Sequence, residues 1–408
     1  MSYPYVLLGD YIDILSGFAF KSKYFSENGI PVIKIKNIVP PYVTLEDLSY
    51  VPNEIAKSNQ KYLLTYNDVL IALTGSHINQ MASVVGRIAR VKYNIPSLLN
   101  QRVGKITVKN EGSCDINYVY YFLSQEQIKI ALASKAGGAA NQANISPSDI
   151  KKLIIPLPPI EIQRRIADIL SAYDDLIENN RKQIKLLEEA AQRLYQEWFV
   201  DLRFPGHKHT KIMDGVPEGW RNIRLSDIAA INANNVPKDY PYDHIEYTDL
   251  SSVQNGIIKE TTRYFLTEAP GRAKRMANDG DVIWGMVRPN LKSFALVLNP
   301  KETDVFSTGF CILSPKTVPF SYLYYAVTTE SFVTYLVNCT NGAAYPAVKP
   351  IHFAEASLLC PDNGLLDRFN AIVEPMLRKR EKLLIMINQA QQARDRLLPK
   401  LMSGVVKV

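Results

Sequence analysis

The sequence lacks long apolar runs. Nowhere in its 408 residues do about 18 apolar residues follow one another without interruption, which is the length that a membrane-spanning helix needs. Its first residues, MSYPYVLLGDYIDI, also lack the basic segment and apolar core of a secretion signal. We therefore predict a cytoplasmic protein with neither a membrane span nor a signal peptide.

Cysteine and histidine are scarce as well. The chain has four cysteines, no two of which form a C-x-x-C pair, and five histidines. Without a secretion signal, widely spaced cysteines favour buried thiols over disulfides or zinc ligands. His207 and His209 are close in sequence but have no acidic or cysteine residue beside them, so no metal site is predicted. The cysteines are Cys114, Cys311, Cys339 and Cys360.

Catalytic signatures are missing too. The tetrapeptide of amino-methyltransferases, [DN]-P-P-[YF], has one near match at Pro40-Pro41-Tyr42, but the preceding Val39 has no side-chain acceptor for an adenine amino group. The phosphate-loop pattern G-x-x-x-x-G-K-[ST] does not occur, and no G-x-G-x-x-G follows a strand pattern. We therefore predict that the chain is not an enzyme and binds no cofactor.

What is present is a globular composition with a moderate positive charge. Apolar residues make up 47% of the chain, which is enough for two or three cores of ordinary domain size. The formal net charge of +7 favours a polyanionic partner. Charge alone does not identify that partner, so the arrangement of the chain must.

Two segments have the periodicity of long paired helices. From about Ile166 to Phe199, and again near the C-terminus, apolar residues recur at steps of three and four amid charged residues such as Arg380. Pro399 is expected to end the second helix. Asn180 either selects a register between the helices or is a partly exposed residue near a helix entry. The predicted seam residues are Leu170, Tyr173, Ile177, Asn180, Ile184, Leu187, Ala191, Leu194 and Trp198, then Leu383, Met386, Ala390, Ala393 and Leu397.

The two regions that precede the long helices are copies of one another. The motif from Tyr118 to Tyr121 recurs from Tyr322 to Tyr325, and the Gly-Ala-Ala string at Gly138 recurs at Gly342 with the same offset. Short β-branched runs between turns predict strands, and residues 117–132 predict a helix. We predict an α/β (α+β) fold with pseudo-two-fold symmetry, in which two similar mixed domains are separated by two long antiparallel coiled-coil helices. The predicted boundaries are domain 1 at 1–159, helical spacer 1 at 160–200, a linker at 201–219, domain 2 at 220–363, helical spacer 2 at 364–402 and a tail at 403–408.

The predicted helix length matches a dimension of DNA. At ~1.5 Å per residue, the helix from Tyr173 to Trp198 is roughly 40 Å long. One turn of duplex DNA is about 34–36 Å, the spacing at which two modules on one face contact two half-sites. Because the loops of the two copies differ, two different half-sites with a fixed gap are expected. The alternative is a scaffold whose domains bind proteins and whose helices only space them.

Polar residues in predicted turns are candidates for DNA contacts. In domain 2, Arg288 suits guanine and Asn290 suits adenine, whereas nearby lysines and other arginines suit phosphate. In domain 1 amides outnumber cations, which favours adenine-containing sequence. Each residue is open to a second interpretation as ordinary turn chemistry, and Tyr345 either stacks on a base or packs beside Pro346. The candidates are Lys34, Lys36, Asn37, Ser76, His77, Asn79, Gln80, Asn100, Gln101, Arg102, Asn141, Gln142 and Asn144 in domain 1, and Arg272, Lys274, Arg275, Arg288, Asn290, Lys292 and Tyr345 in domain 2.

Several strings carry a family resemblance. They are Val216-Pro217-Glu218-Gly219-Trp220 leading into Leu225-Ser226-Asp227-Ile228, then Val287-Arg288-Pro289-Asn290-Leu291-Lys292, Ser307-Thr308-Gly309-Phe310-Cys311, Gly342-Ala343-Ala344-Tyr345-Pro346-Ala347-Val348, and Pro156-Leu157-Pro158-Pro159-Ile160-Glu161-Ile162-Gln163. Together they resemble the specificity subunit of type I restriction-modification systems over nearly the whole chain. The first copy lacks the Pro-Glu-Gly-Trp lead-in, which leaves open how the N-terminus packs.

The resemblance implies a non-catalytic subunit for defence against foreign DNA. Each domain would recognise one half of a split target in double-stranded DNA, and the two helices would set the gap. The helices would also dock two adenine-methylating modification subunits, which restriction-translocase subunits join in the full endonuclease. S-adenosylmethionine, ATP and Mg would be bound by those partners. Trp198 and Phe199 at the helix end either anchor a modification subunit or pack against the linker.

Overall fold

The computed structural model describes residues 3–76, 85–137, 143–340 and 346–408. The chain divides into two compact units, and each contains one of the two domains together with parts of both long helices. Unit 1 comprises Met1–Glu178 and Asn388–Val408, and unit 2 comprises Asn179–Ile387.

Unit 1 contains two main sheets. The strands of the larger sheet follow the order β2-β12-β8-β10-β5-β4, and those of the smaller sheet β6-β3-β11-β7. The elements are β1 Tyr5–Leu7, β2 Ile12–Ser16, β3 Ile30–Ile33, β4 Ile38–Val39, β5 Tyr42–Val43, β6 Ser49–Val51, α1 Asn53–Lys57, β7 Leu63–Leu64, β8 Val69–Ala72, β9 Thr74–Gly75, β10 Ile88–Arg90, β11 Ser97–Leu99, β12 Val103–Val108, α2 Ile116–Ser124, α3 Glu126–Lys135, β13 Ala143–Asn144, α4 Pro147–Lys151, β14 Ile154–Pro156 and the start of α5 Ile160–Tyr195.

Unit 2 repeats this plan. Its main sheets have the strand orders β18-β28-β25-β26 and β19-β24-β27-β20-β23. The elements are β15 Ile212–Met213, β16 Val216–Pro217, β17 Arg221–Arg224, α6 Leu225–Ile228, β18 Ala229–Ile231, β19 Asn234–Asn235, β20 His244–Thr248, β21 Val253–Gln254, β22 Ile257–Ile258, β23 Thr262–Phe265, β24 Ala273–Met276, β25 Val282–Gly285, β26 Phe294–Leu296, β27 Asp304–Ser307, β28 Phe310–Pro315, α7 Phe320–Ala326, α8 Glu330–Asn338, α9 Pro350–Ala354, β29 Ser357–Cys360 and the start of α10 Asn363–Met402.

A central strand in each unit is apolar throughout because it separates two cores. In β8, Val69 and Ile71 belong to the core beneath the tyrosine-rich helix α2, whereas Leu70 and Ala72 belong to the core shared with the second sheet. Successive side chains of a strand point to opposite faces, so a strand with a core on each face has no polar positions. In unit 2, the apolar strand β25 is placed in the same way.

Equivalent tyrosines make equivalent hydrogen bonds in the two units. The hydroxyl of Tyr118 in α2 donates to the carbonyl oxygen of Pro156 at 2.6 Å. The hydroxyl of Tyr322 in α7 donates to the carbonyl oxygen of Leu359 at 2.8 Å. Each bond ties the tyrosine-rich helix of the domain to the strand that leads into a long helix. The predicted duplication is therefore present in side-chain contacts as well as in the sequence.

The N-terminus packs without the Pro-Glu-Gly-Trp lead-in. Strand β1 pairs antiparallel with β14, with Tyr5 opposite Pro156 and Leu7 opposite Ile154. In unit 2, β17 pairs antiparallel with β29 in the same way. The first copy therefore begins with the strand that the second copy also has.

The long helices run antiparallel within each unit. In unit 1, Ile166 and Leu170 near the start of α5 share a core with Leu401 near the end of α10. In unit 2, Phe199, in the π-helical turn Gln196–Val200 that follows α5, lies 4.9 Å from Phe369 near the start of α10, measured between ring centroids. Helix α10 continues through Pro399 to Met402, so the predicted end at Pro399 is wrong.

Burial corrects the predicted seam at several positions. Tyr173 is only half-buried, and its neighbour Asp174 is buried instead. Met386 is 42% exposed, so its assignment to the seam is wrong, and Ile387 is buried in its place. Arg380 is buried rather than solvated. Leu170, Ile177, Asn180, Ile184, Ala191, Leu383 and Ala390 are buried, whereas Leu187, Leu194, Trp198, Ala393 and Leu397 are half-buried.

Candidate nucleic-acid interface

The turn after strand β25 presents polar side chains from a fixed backbone. Arg288 and Lys292 have φ values of 50° and 54°, in the left-handed region that non-glycine residues rarely adopt. Pro289 between them is buried, and the backbone N–H of Arg288 donates to the carbonyl oxygen of Pro346 at 2.8 Å. Arg288 and Asn290 are exposed at this turn. Strained backbone of this kind is found preferentially at binding sites.

Lys292 has a structural partner in the same turn. Its ammonium group forms an ion pair with Glu330, the first residue of helix α8. This ion pair ties the turn to α8. Among the predicted DNA-contacting residues of the turn, Arg288 and Asn290 are the exposed ones.

A second group of cations lies on and beside strand β24. Arg272 is exposed, with its guanidinium 3.8 Å from the Asp249 carboxylate, and Lys274 is exposed. Arg275 donates to the side-chain oxygen of Asn235 on the adjacent strand at 2.9 Å, and its Nε is buried without a hydrogen-bond partner. Sequence analysis did not identify Asn235, because a pairing between distant strands leaves no local pattern.

The Thr308-Gly309 turn brings the two groups together. The N–H of Thr308 donates to the carbonyl oxygen of Arg272 at 2.8 Å, and the N–H of Met286 donates to that of Gly309 at 2.9 Å. A Cβ atom at Gly309 would lie 2.8 Å from the Leu250 side chain, so a larger residue here would displace that side chain. The Ser-Thr-Gly-Phe string is therefore a structural junction between the segments that carry Arg272 and Arg288.

The corresponding turn of unit 1 is formed by Asn100, Gln101 and Arg102. It joins β11 to β12 just as the Thr308-Gly309 turn joins β27 to β28. Asn100 is half-buried and accepts a hydrogen bond from the N–H of Arg102 at 3.4 Å, whereas Gln101 and Arg102 are exposed. In unit 1, the exposed polar candidates at this position are therefore an amide and a guanidinium.

The candidates at the β9–β13 pair are described only in part. Asn144 is exposed and accepts a 2.7 Å hydrogen bond from the Thr74 hydroxyl, and Ser76 is buried. His77, Asn79, Gln80, Asn141, Gln142 and Tyr345 lie outside the described residues.

Asn37 is a structural residue, which makes its assignment to DNA wrong. It is 1% exposed, its side-chain oxygen accepts from the N–H of Lys34 at 3.0 Å, and its side-chain nitrogen donates to the carbonyl oxygen of Glu46 at 2.9 Å. The Lys34 ammonium group donates a hydrogen bond to the Ser49 hydroxyl at 2.8 Å. The same group lies 4.0 Å from the centroid of the Phe25 ring.

The charges around Lys34 and Lys36 indicate that both lysines contact other protein groups. Burial, and after it the charge of nearby Lys36, lowers the pKa of Lys34. Lys36 is ion-paired with Asp47, whose pKa is lowered by the hydrogen bond from Lys36. Both lysines therefore have protein partners in this segment.

The described ranges contain neither a cluster of metal-ligating side chains nor a membrane-spanning helix. Within residues 3–76, 85–137, 143–340 and 346–408, no three His, Cys, Asp or Glu side chains are grouped as metal ligands would be. No helix of the same ranges is long and apolar enough to span a membrane. All four cysteines are free, and burial raises the pKa of the Cys114 thiol to about 12.

Comparisons with known proteins agree on one family. Residues 3–189 match the model of the type I restriction modification DNA specificity domain. The chain is 26% identical to the MjaIX specificity subunit of Methanocaldococcus jannaschii, over 71% of this chain and 69% of that protein. It is 30% identical to the putative MjaX specificity subunit of the same organism, over 49% of this chain and 46% of that protein.

A solved structure has the same fold. The S subunit of a type I restriction-modification system from M. genitalium aligns with 98% of this chain and 96% of its own, with a TM-score of 0.66 at 15% identity. The duplicated domain and the paired helices have the fold of that S subunit, and the first copy of the domain matches a DNA specificity domain. More particularly, residues 3–189 match the DNA specificity domain of type I restriction-modification systems, and the chain is similar to specificity subunits of those systems.

Proposed function

We propose that this chain recognises a split sequence in double-stranded DNA, with one half-site for each unit. The observation that carries the proposal is the duplication itself, because each unit contains one copy of the domain and a segment of both long helices. In unit 2, Arg288 and Asn290 would contact base edges, and Arg272 and Lys274 would hold phosphates. In unit 1, the exposed Gln101 and Arg102 would contribute to a different half-site.

Catalysis would come from partner subunits in the cytoplasm. Two modification subunits, which would methylate adenine with S-adenosylmethionine, would dock on the helices. Restriction-translocase subunits would join them and use ATP and Mg. The alignments span only part of several relatives, for example 46% of the MjaX subunit. The partner subunits are therefore proposed for this chain.

Salt dependence tests the proposal when the chain is assembled with its modification subunits. Log affinity for the target duplex should fall linearly with log salt, because phosphate contacts release counterions. Replacing Lys274 with alanine should weaken binding to all sequences alike and reduce the slope by about one. Arg288→Ala should instead cost about 1–3 kcal/mol at one half-site and relax base preference only there.

The controls separate the alternatives. Lys185→Ala, on the exposed face of α5, should leave the slope and the base preference unchanged. A uniform loss of affinity for Arg288→Ala would show that this residue holds phosphate. Absence of any sequence-specific duplex binding by the assembled complex would favour the protein-binding scaffold instead.

A further inference from the structure

Unit 1 contains a buried ionic cluster centred on Asp174 of α5. The Asp174 side chain is 1% exposed, and both of its carboxylate oxygens are used. One oxygen accepts from Arg90 of strand β10 at 2.8 Å and from the Tyr121 hydroxyl at 2.7 Å. The other accepts from Arg394 of α10 at 2.7 Å. The cluster therefore joins the domain, the first helix and the second helix at one point.

Aromatic rings complete this cluster. The Arg90 guanidinium lies 4.3 Å from the centroid of the Tyr120 ring and 5.4 Å from that of Tyr121. An arginine over a tyrosine face is attracted by the ring quadrupole, most strongly away from water. Arg90 is thus held by a carboxylate on the helix and by rings within its own domain.

Unit 2 contains a cluster with the opposite central charge. Arg380 of α10 is buried and donates to the carboxylate of Glu188 in α5. It also donates to the carbonyl oxygen of Gly256, in a turn of the domain, at 2.6 Å. Gly256 has a φ of 81°, in the left-handed region that favours glycine, and a Cβ atom there would lie 2.6 Å from the Tyr324 hydroxyl. This cluster also joins the domain to both helices.

The two clusters are not copies of one another. The two long helices can be aligned by making Ile166 of α5 equivalent to Phe369 of α10. In this alignment, Leu377 takes the position of Asp174. Ile177 takes the position of Arg380. Arg90 pairs with Val69 of β8, and Leu296 pairs with Val282 of the equivalent strand β25. Leu296 therefore takes the position of Arg90 in unit 2. Leu377, Ile177 and Leu296 are all buried.

Apolar residues therefore fill the equivalent positions of the other unit, which shows that packing at these positions does not require ions. Apolar packing is non-directional, whereas buried ion pairs with hydrogen bonds accept few geometries. Each unit has the same three-way junction, built from different residues.

We propose that the two clusters are positioning devices that fix the orientation of each recognition domain on the helices and thereby set which gap length the protein accepts. The proposal rests on the proposed recognition of a split DNA target. Arg90, Asp174 and Arg394 act in unit 1, and Arg380 and Glu188 act in unit 2. None of these residues needs to contact DNA.

The test replaces the unit 1 cluster with apolar residues of similar volume. Arg90→Met, Asp174→Leu and Arg394→Met are combined, and the variant is assembled with its modification subunits. Binding is measured on duplexes whose gap is the native length or one base pair shorter or longer. The wild-type complex should discriminate against a wrong gap by ~100-fold, in the range of one mismatched base pair. The variant should discriminate by ~10-fold or less and keep its base preference in both half-sites.

A second variant and a matched control protect the test against a folding defect. Arg380→Met with Glu188→Leu probes the unit 2 cluster in the same assay and should relax gap discrimination likewise. Lys151→Gln with Asp13→Asn removes a largely exposed ion pair of unit 1 that lies outside the long helices, and it should leave gap discrimination unchanged. Undiminished gap discrimination in both folded cluster variants would overturn the proposal.

A measurement without DNA separates this proposal from the proposed function. Nitroxide labels on Lys57→Cys, in domain 1, and Asp168→Cys, on α5, report their distance by pulsed electron double resonance in a Cys339→Ser background. Both labelled positions are exposed. The wild-type distance distribution should be narrow, and the apolar variant should broaden it. Equal widths would overturn the positioning role, whereas a broadened distribution without specific DNA binding would preserve that role and refute the proposed function.

Discussion

Asp174→Ala should lower the free energy of unfolding of unit 1 by about 3–5 kcal/mol, the usual cost of removing one partner from a buried ion pair. Asp174 is the anion between Arg90 and Arg394, whose side chains are 3% and 20% exposed. Without it, two guanidinium groups lose their common counterion, and the Tyr121 hydroxyl keeps only the more distant Ser171 hydroxyl, at 3.3 Å, as an acceptor. Urea denaturation of the full chain, followed by circular dichroism, measures the change.

Two comparisons make this prediction specific. Lys185→Ala removes one member of an exposed ion pair with Glu189, so it should change stability by less than about 0.5 kcal/mol. The combined replacement Arg90→Met, Asp174→Leu and Arg394→Met should be far less destabilising than Asp174→Ala alone, because no buried charge is left without a partner. A loss below about 1 kcal/mol for Asp174→Ala would contradict this assignment of the cluster.

Adding one heptad to both helices should lengthen the preferred gap by about three base pairs. Seven helical residues add roughly 10 Å, and B-DNA rises about 3.4 Å per base pair. The pairing of Glu188 with Arg380 gives the register within unit 2, so an insertion between Gln183 and Ile184 is matched by one between Leu384 and Ile385. Affinity for the original target should fall by ~100-fold, and binding across a series of gap lengths measures the new optimum.

The control is an insertion whose length breaks the seven-residue repeat of the helix seam. Four residues inserted at the same two places lengthen the helices but rotate the seam residues away from each other, because the seam repeats every seven residues. That variant should lose stability rather than acquire a new gap. An unchanged optimum in a folded heptad variant would show that the helices do not set the gap.

The duplication and the central strands were predictable because their signals are local. The Tyr-rich helices and the strand from Val69 follow patterns that a double-sided core imposes on neighbouring residues. Helix α5 was predictable from its periodicity, but the exact seam was not. Tyr173 and Asp174 are adjacent, and periodicity favours the apolar residue, whereas the partners Arg90 and Arg394 make burial of the carboxylate favourable.

Other errors have similar physical causes. Ile387 and Met386 are equally apolar, so only packing decides which is buried. Helix α10 passes Pro399 because Leu398, Leu401 and Met402 are buried in unit 1 on both sides of it, and a proline near a helix end removes few backbone hydrogen bonds.

Turn residues were the least predictable part of the candidate site. Asn37 and Asn290 are the same residue type in polar turns, yet Asn37 closes its own turn and Asn290 faces solvent. An asparagine is equally suited to capping a backbone and to contacting adenine, so composition does not separate the two roles. Left-handed backbone at Arg288 and Lys292 distinguishes their turn, and it is visible only in the structure.

The most direct test of the central claim is to sequence the methylated adenines in the genomic DNA of the host. Two different recognition units joined by paired helices predict one asymmetric motif in two parts, separated by unspecified bases whose number is constant across the genome. Methylation at a single continuous motif, or at two parts with a variable gap, would contradict this account.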